Sequence, residues 1–74
     1  MTLDEMKPGA QCVLVDLLTG GALGQRLMDL GFCPGANIEV VRNAPLVDPV
    51  VLHLDGYNIS IRHDEARHVE VERR

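Results

Sequence analysis

The chain has no Trp, one Phe and one Tyr among 74 residues. Domains that read Pro-rich segments do so with aromatic-lined grooves, and two aromatic rings do not line one. Two cysteines, Cys12 and Cys33, are too few for a disulfide framework, and no C-x-x-C or H-x-x-x-H spacing points to a closed metal site. No basic run is present: seven Lys and Arg face eleven Asp and Glu, for a formal net charge of −4. Nucleic-acid affinity rests largely on neutralised phosphates, so a nucleic-acid partner is not expected. No stretch approaches the ~18 apolar residues of a membrane span. "MTLDEMKPGA" lacks the apolar region of a secretory leader. The expectation is a cytoplasmic protein with reduced thiols and no direct membrane insertion.

What is present is aliphatic. Hydrophobic residues make up 46%, enough for a packed core, although a domain of about 60 residues buries only ~60% of its unfolded surface. One small domain over residues 1–74 is expected, with little room for a deep cleft. Thr2 and Glu5 have capping-box spacing for a single helical turn. "KPGA" reads as a type II turn, Pro8 fixing φ and Gly9 supplying φ > 0. "CVLVDLL" follows as a first strand, with Val13, Val15 and Leu17 sharing one face and Cys12 on the other. In "TGGALGQRLMDLG" the period changes: Leu23, Leu27 and Leu30 recur as one face of a short helix, which Gly24 weakens by about 1 kcal/mol relative to Ala. Gly31 suits the left-handed position that ends a helix, and Phe32 would then pack back on the last turn.

"CPGA" repeats the turn signature with Cys33 at its first position, and "NIEVVRN" leaves it as a strand. The shared Pro-Gly-Ala is a reused local turn whose flanks carry no longer repeat. "APLVDP" is a loop between Pro45 and Pro49. "VVLHL" and "YNISI" alternate on either side of Gly56 as a tight hairpin. "HDEA" is one turn of helix, and "HVEVE" a last strand with Val69 and Val71 inward. About five short strands with one helix between the first two leave no room for repeated βαβ crossovers. The expected fold is therefore all-β: an SH3-like small barrel, mainly antiparallel, which also protects sheet edges. An edge left open would offer a weak pairing site for a second copy. Catalysis finds no footing, because no Ser/His/Asp pattern or nucleophile elbow is present and "TGGALG" lacks the Lys-Ser/Thr of a phosphate loop. Asp16, alone in an apolar run, has no evident partner, and a non-enzyme is expected.

With the strands placed, "RLMDLGFCPG", "EVVRNAPLVDP", the hairpin ending in "ISIR" and "DEARHVEV" stand in an order that resembles the FeoA family. They cover residues 26 to 72, with "MKPG" adding the first turn. The resemblance implies an SH3-like barrel with a helical insertion. It also implies a non-enzymatic accessory role in bacterial ferrous iron uptake, by contact with the cytosolic part of the FeoB transporter, a membrane protein with a G-protein domain. Family members commonly carry Gly where this chain has Val47, and a β-branched residue there would be strained if that position needs φ > 0.

On that reading, Leu27 and Leu30 face the core, so that Leu30→Asp would unfold the chain. Met28 and Phe32 form a partly exposed apolar edge, rimmed by Gln25, Arg26 and Asp29, with Cys33 at the following corner; Arg26 and Asp29 have i, i+3 spacing for a surface pair. These six residues, Gln25, Arg26, Met28, Asp29, Phe32 and Cys33, are the candidate partner-binding set. The alternative is an Fe(II) carrier or sensor, with no resident cofactor but weak Fe(II) binding at Cys33, His63 and Glu65, since thiolate, imidazole and carboxylate are all iron donors. The other reading of Cys33 is a small residue filling a turn, and of His53, His63 and His68 three solvated side chains. A domain of this kind attached to a metal-dependent repressor would need a DNA-binding part, which 74 residues do not hold.

Overall fold

The structure, a computed structural model, describes residues 1–74. Five strands, β1 (Gln11–Leu17), β2 (Asn37–Arg42), β3 (Val50–Leu54), β4 (Tyr57–Ile61) and β5 (Val69–Arg73), form one antiparallel sheet in the order β4-β3-β2-β1-β5. Helix α1 (Gly21–Asp29) lies between β1 and β2, and the short α2 (His63–Ala66) between β4 and β5. A 3-10 turn at Leu3–Glu5 opens the chain. This is the SH3-like barrel expected from the strand pattern. Its core is aliphatic apart from Phe32, with Leu3, Met6, Leu14, Leu27, Val40, Leu52 and Val69 among its buried members.

Both Pro-Gly turns form as type II. The Ala10 N–H donates to Lys7 O and the Ala36 N–H to Cys33 O, each at 3.0 Å, with Gly9 at φ +89° and Gly35 at φ +91°. Each turn also grips the opposite strand. Gly9 N–H donates to Val40 O (2.7 Å) and Val40 N–H to Ala10 O (2.9 Å); Gly35 N–H donates to Leu14 O (2.8 Å) and Leu14 N–H to Ala36 O (2.9 Å). The β3–β4 hairpin closes on Asp55 and Gly56, both at positive φ, with Leu54 opposite Tyr57.

The inward face of β1 departs from the simple alternation. Cys12 and Leu14 are buried, while Val15 is exposed and Leu17 only half-buried. The register against β5 shifts between Leu14 and Asp16, so the extra residue, Val15, is extruded and the inward phase moves from even to odd positions. β2 does the same between Val40 and Arg42, and Val41 is left exposed. Such bulges bend a strand, and these two help curl a small sheet into a barrel. Asp16, beside the first bulge, is exposed, and its carboxylate accepts the Leu17 N–H (2.8 Å).

Helix α1 ends as its glycine predicts. Gly31 sits at φ +108°, the Gly31 N–H donates to Met28 O (2.9 Å) and the Phe32 N–H to Leu27 O (3.0 Å). This pair of bonds characterises the Schellman motif, in which the residue after the glycine packs on the helix. Phe32 and Leu27 are accordingly both fully buried. Gly24, expected only to weaken the helix, is needed there: a Cβ would lie 2.8 Å from the Thr19 carbonyl oxygen.

Candidate partner-binding surface

The surface of α1 is built from the turn that buries its other side. Leu27 anchors the helix, and its neighbours in sequence, Arg26 and Met28, point out. Met28 is 50% exposed and Leu30 38%. Gln25, Arg26, Asp29 and Cys33 are exposed as expected. Phe32 is the correction. The Schellman bond that places it after Gly31 turns its ring into the core, and Leu30 takes its place on the outer edge. Leu30 therefore does not face the core as its spacing suggested, because the helix ends at Asp29 and Leu30 already belongs to the cap.

The polar rim is tied down differently from its expected i, i+3 pairing. Gln25 Nε2 donates to Asp29 Oδ1 (2.9 Å), one helical turn away. Arg26 pairs with Glu65 of α2, whose side chain is almost fully buried. The other Glu65 oxygen accepts the Arg62 N–H (2.9 Å), capping α2. Both oxygens of this buried carboxylate thus have a partner. Arg26 thus joins α1 to α2 across 39 positions of sequence, which no local spacing reveals.

The second face of α2 holds the β2–β3 loop. Asp48 Oδ1 accepts both the His63 backbone N–H (2.8 Å) and His63 Nδ1 (2.7 Å), and His63 Nε2 lies 2.7 Å from Asn43 Oδ1. Asn43 Nδ2 donates to the carbonyls of Asp4 (3.0 Å) and Met6 (2.7 Å). His63 is therefore no freely solvated side chain. Its backbone bond first, then its ring bond, hold the Asp48 carboxyl below the usual carboxylate range. At the loop tip the positive φ falls on Leu46 (+61°), one residue before Val47, where strain was expected.

The three candidate iron donors do not meet. Cys33 is exposed at the Pro-Gly corner, His63 is engaged with Asp48 and Asn43, and Glu65 with Arg26. No group of three or more His, Cys, Asp or Glu comes together as a metal site. Cys12 is buried, which pushes its thiol up, and both cysteines are free. One sheet edge, β5, is covered by the chain's own start, through the Thr2–Glu70 bridge and the Val71 N–H bond to Met1 O (2.8 Å). The β4 edge has no strand beside it. No helix is long and apolar enough to cross a membrane.

The model of the FeoA domain matches residues 1–73. The chain belongs to the FeoA family. It is 40% identical over 72 residues to an Fe(2+) transport protein A/Fe(2+) transporter FeoB fusion protein of Porphyromonas gingivalis, covering 97% of this chain and 8% of that protein. It is 31% identical over 71 residues to a putative Fe(2+) transport protein A of Campylobacter jejuni, covering 96% of each. Among solved structures, the iron(II) transport protein A of Clostridium thermocellum aligns with a TM-score of 0.91 at 40% identity, over 99% of this chain and 45% of that one. The FeoA-like chain thus spans a small part of the fusion protein and under half of the solved chain.

Proposed function

We propose that this FeoA-family chain is a non-enzymatic accessory domain of ferrous iron uptake that acts by contact with the cytosolic part of a FeoB-like transporter. One observation carries the reading: in the P. gingivalis relative, a region 40% identical to nearly all of this chain shares a polypeptide with the FeoB transporter. Fusing two modules raises their local concentration, which rewards modules that touch. The contact surface we assign is the outer edge of α1, Met28 and Leu30 with the Gln25, Arg26 and Asp29 rim, together with the Cys33 corner. Met adapts to varied partner surfaces, and the packed Leu27–Phe32 cap beneath holds the edge still. Regulation of uptake requires that this edge bind two transporter states with different affinity.

Met28→Asp tests the assignment, because Met28 is half exposed and its replacement leaves the core untouched. The variant is expected to melt as the parent does and to bind the transporter's cytosolic part at least tenfold more weakly. Leu30→Asp is expected to fold too, since Leu30 lies outside the core. A folded Met28→Asp chain that binds like the parent would move the contact away from α1.

A further inference from the structure

We propose that the tip of the β2–β3 loop, residues 45–47, is a second docking element, with Leu46 as an apolar knob that enters a pocket on the same protein partner. Leu46 is fully exposed, and its backbone is at φ +61°, a region disfavoured for a side chain with a Cβ. The φ belongs to a turn with Pro45 at its second position, closed by the Val47 N–H donating to Ala44 O (3.1 Å), but nothing within the chain covers the Leu46 side chain. Val47 beside it is also exposed, and Pro45 and Pro49 stiffen the two sides of the tip.

The loop is held in this pose from below. Asn43 and Asp48 are its two stems, and one ring, His63, bonds both. Asn43 commits its amide nitrogen to the Asp4 and Met6 carbonyls, so it turns its oxygen to His63 Nε2. That nitrogen must donate. His63 Nδ1 lies 2.7 Å from the Asp48 carboxylate, so the ring bonds both stems. The ring thus spans the loop between its two stems, and the Arg62 guanidinium lies 3.8 Å from Asp48. A loop pinned at both stems presents Leu46 with much of its ordering cost already met, as preorganised contacts do. The same α2 fastens α1 through Glu65 and Arg26. The Met28 edge and the Leu46 tip are therefore carried on one bracket.

The occupant follows from size and charge. A tip of three residues falls far short of the ~800 Å² per partner that holds a stable pair together, which disfavours a second copy. The tip has no basic residue and the chain carries a net charge of −4, which disfavours an anionic bilayer. A small uncharged knob suits a partner that other contacts already hold close, with an apolar pocket to receive it. This inference rests on the transporter-contact reading above.

The test is the affinity of the whole chain for the transporter's cytosolic part, by titration calorimetry, for the parent, Leu46→Ser, Met28→Asp and His63→Gln. Leu46→Ser is expected to melt as the parent does and to bind at least tenfold more weakly. His63→Gln keeps Leu46 but frees the loop; it is expected to broaden the amide signals of residues 43–48 and to weaken binding several-fold. Parental affinity in Leu46→Ser, with Met28→Asp weakened, overturns the knob and leaves the transporter reading standing. Absence of binding by the parent chain overturns both. Leu46-dependent binding to phosphatidylserine vesicles, or Leu46-dependent dimers in sedimentation, would assign the tip to a bilayer or a second copy and overturn the proposal.

Discussion

The two Pro-Gly-Ala turns, at residues 7–10 and 33–36, make the same bonds to opposite strands, and the likeness runs beyond the turns. Buried Met6 precedes one and buried Phe32 the other. Cys12 and Leu14 follow the first as Ile38 and Val40 follow the second, and the bulges at Val15 and Val41 come next. Every pair is 26 positions apart by number. Cys12 and Ile38 are also register partners, so a local two-fold passes between them. The two copies differ at the first turn position, which is Lys7 in one and Cys33 in the other. The turn uses only the backbone carbonyl there. A thiol is not required by the geometry, and Cys33 is accounted for as a turn residue. The duplicated part of the molecule is scaffold. The binding surface is assigned to features that occur once, the α1 edge and the β2–β3 loop, with the adjoining Cys33 corner as the one part of a duplicated turn that it includes.

The equivalence can be broken most forcefully at the buried residue before each turn. Phe32→Ala is expected to cost about 3–5 kcal/mol and Met6→Ala about 2–5 kcal/mol, read from urea unfolding. A cost under about 1 kcal/mol at either position would show that the two do not plug the core alike. Next come the glycines. A Cβ at either position would have no neighbour within 4 Å, so Gly9→Ala and Gly35→Ala differ from the parent only through the positive φ. Each is expected to lose about 1–2 kcal/mol, and a gap between them larger than about 1 kcal/mol would end the symmetry. Thiol labelling sharpens the contrast between the cysteines. Cys33 is exposed, whereas burial raises the Cys12 thiol and lowers its thiolate fraction. A maleimide is expected to modify Cys33 in the native chain and to reach Cys12 only on unfolding. The smallest effect is Cys33→Lys, which copies the other turn and is expected to change stability by less than about 0.5 kcal/mol. A large loss would give the thiol a role of its own.

Much of this scaffold was legible in local signals. The Pro-Gly turns, the Gly56 hairpin, the helix stop at Gly31 and the inward residues of β3 and β5 all follow from short-range geometry. The bulges were not legible: Val15 and Val41 look like ordinary strand residues, and only pairing with a neighbouring strand extrudes them. The same limit explains Phe32 and Leu30. Helical spacing put Leu30 inside, but the cap that begins at Leu30 changes the direction of the chain, and the bonds of Gly31 and Phe32 decide which side chain is buried. Of the candidate surface, Gln25, Arg26, Met28, Asp29 and Cys33 lie outside as expected. The ties that fix it, Arg26 to Glu65 and His63 to Asp48 and Asn43, join residues 15 to 39 positions apart, beyond the reach of periodicity.

The most direct test of the account is an amide-resolved NMR titration of the chain with the cytosolic part of its own organism's FeoB-like transporter. Shifts are expected on two segments, residues 25–33 and 44–48, while the first Pro-Gly turn, residues 7–10, and the β4 edge stay unmoved. A spectrum unchanged at high partner concentration, or shifts confined to the β4 edge, would contradict it.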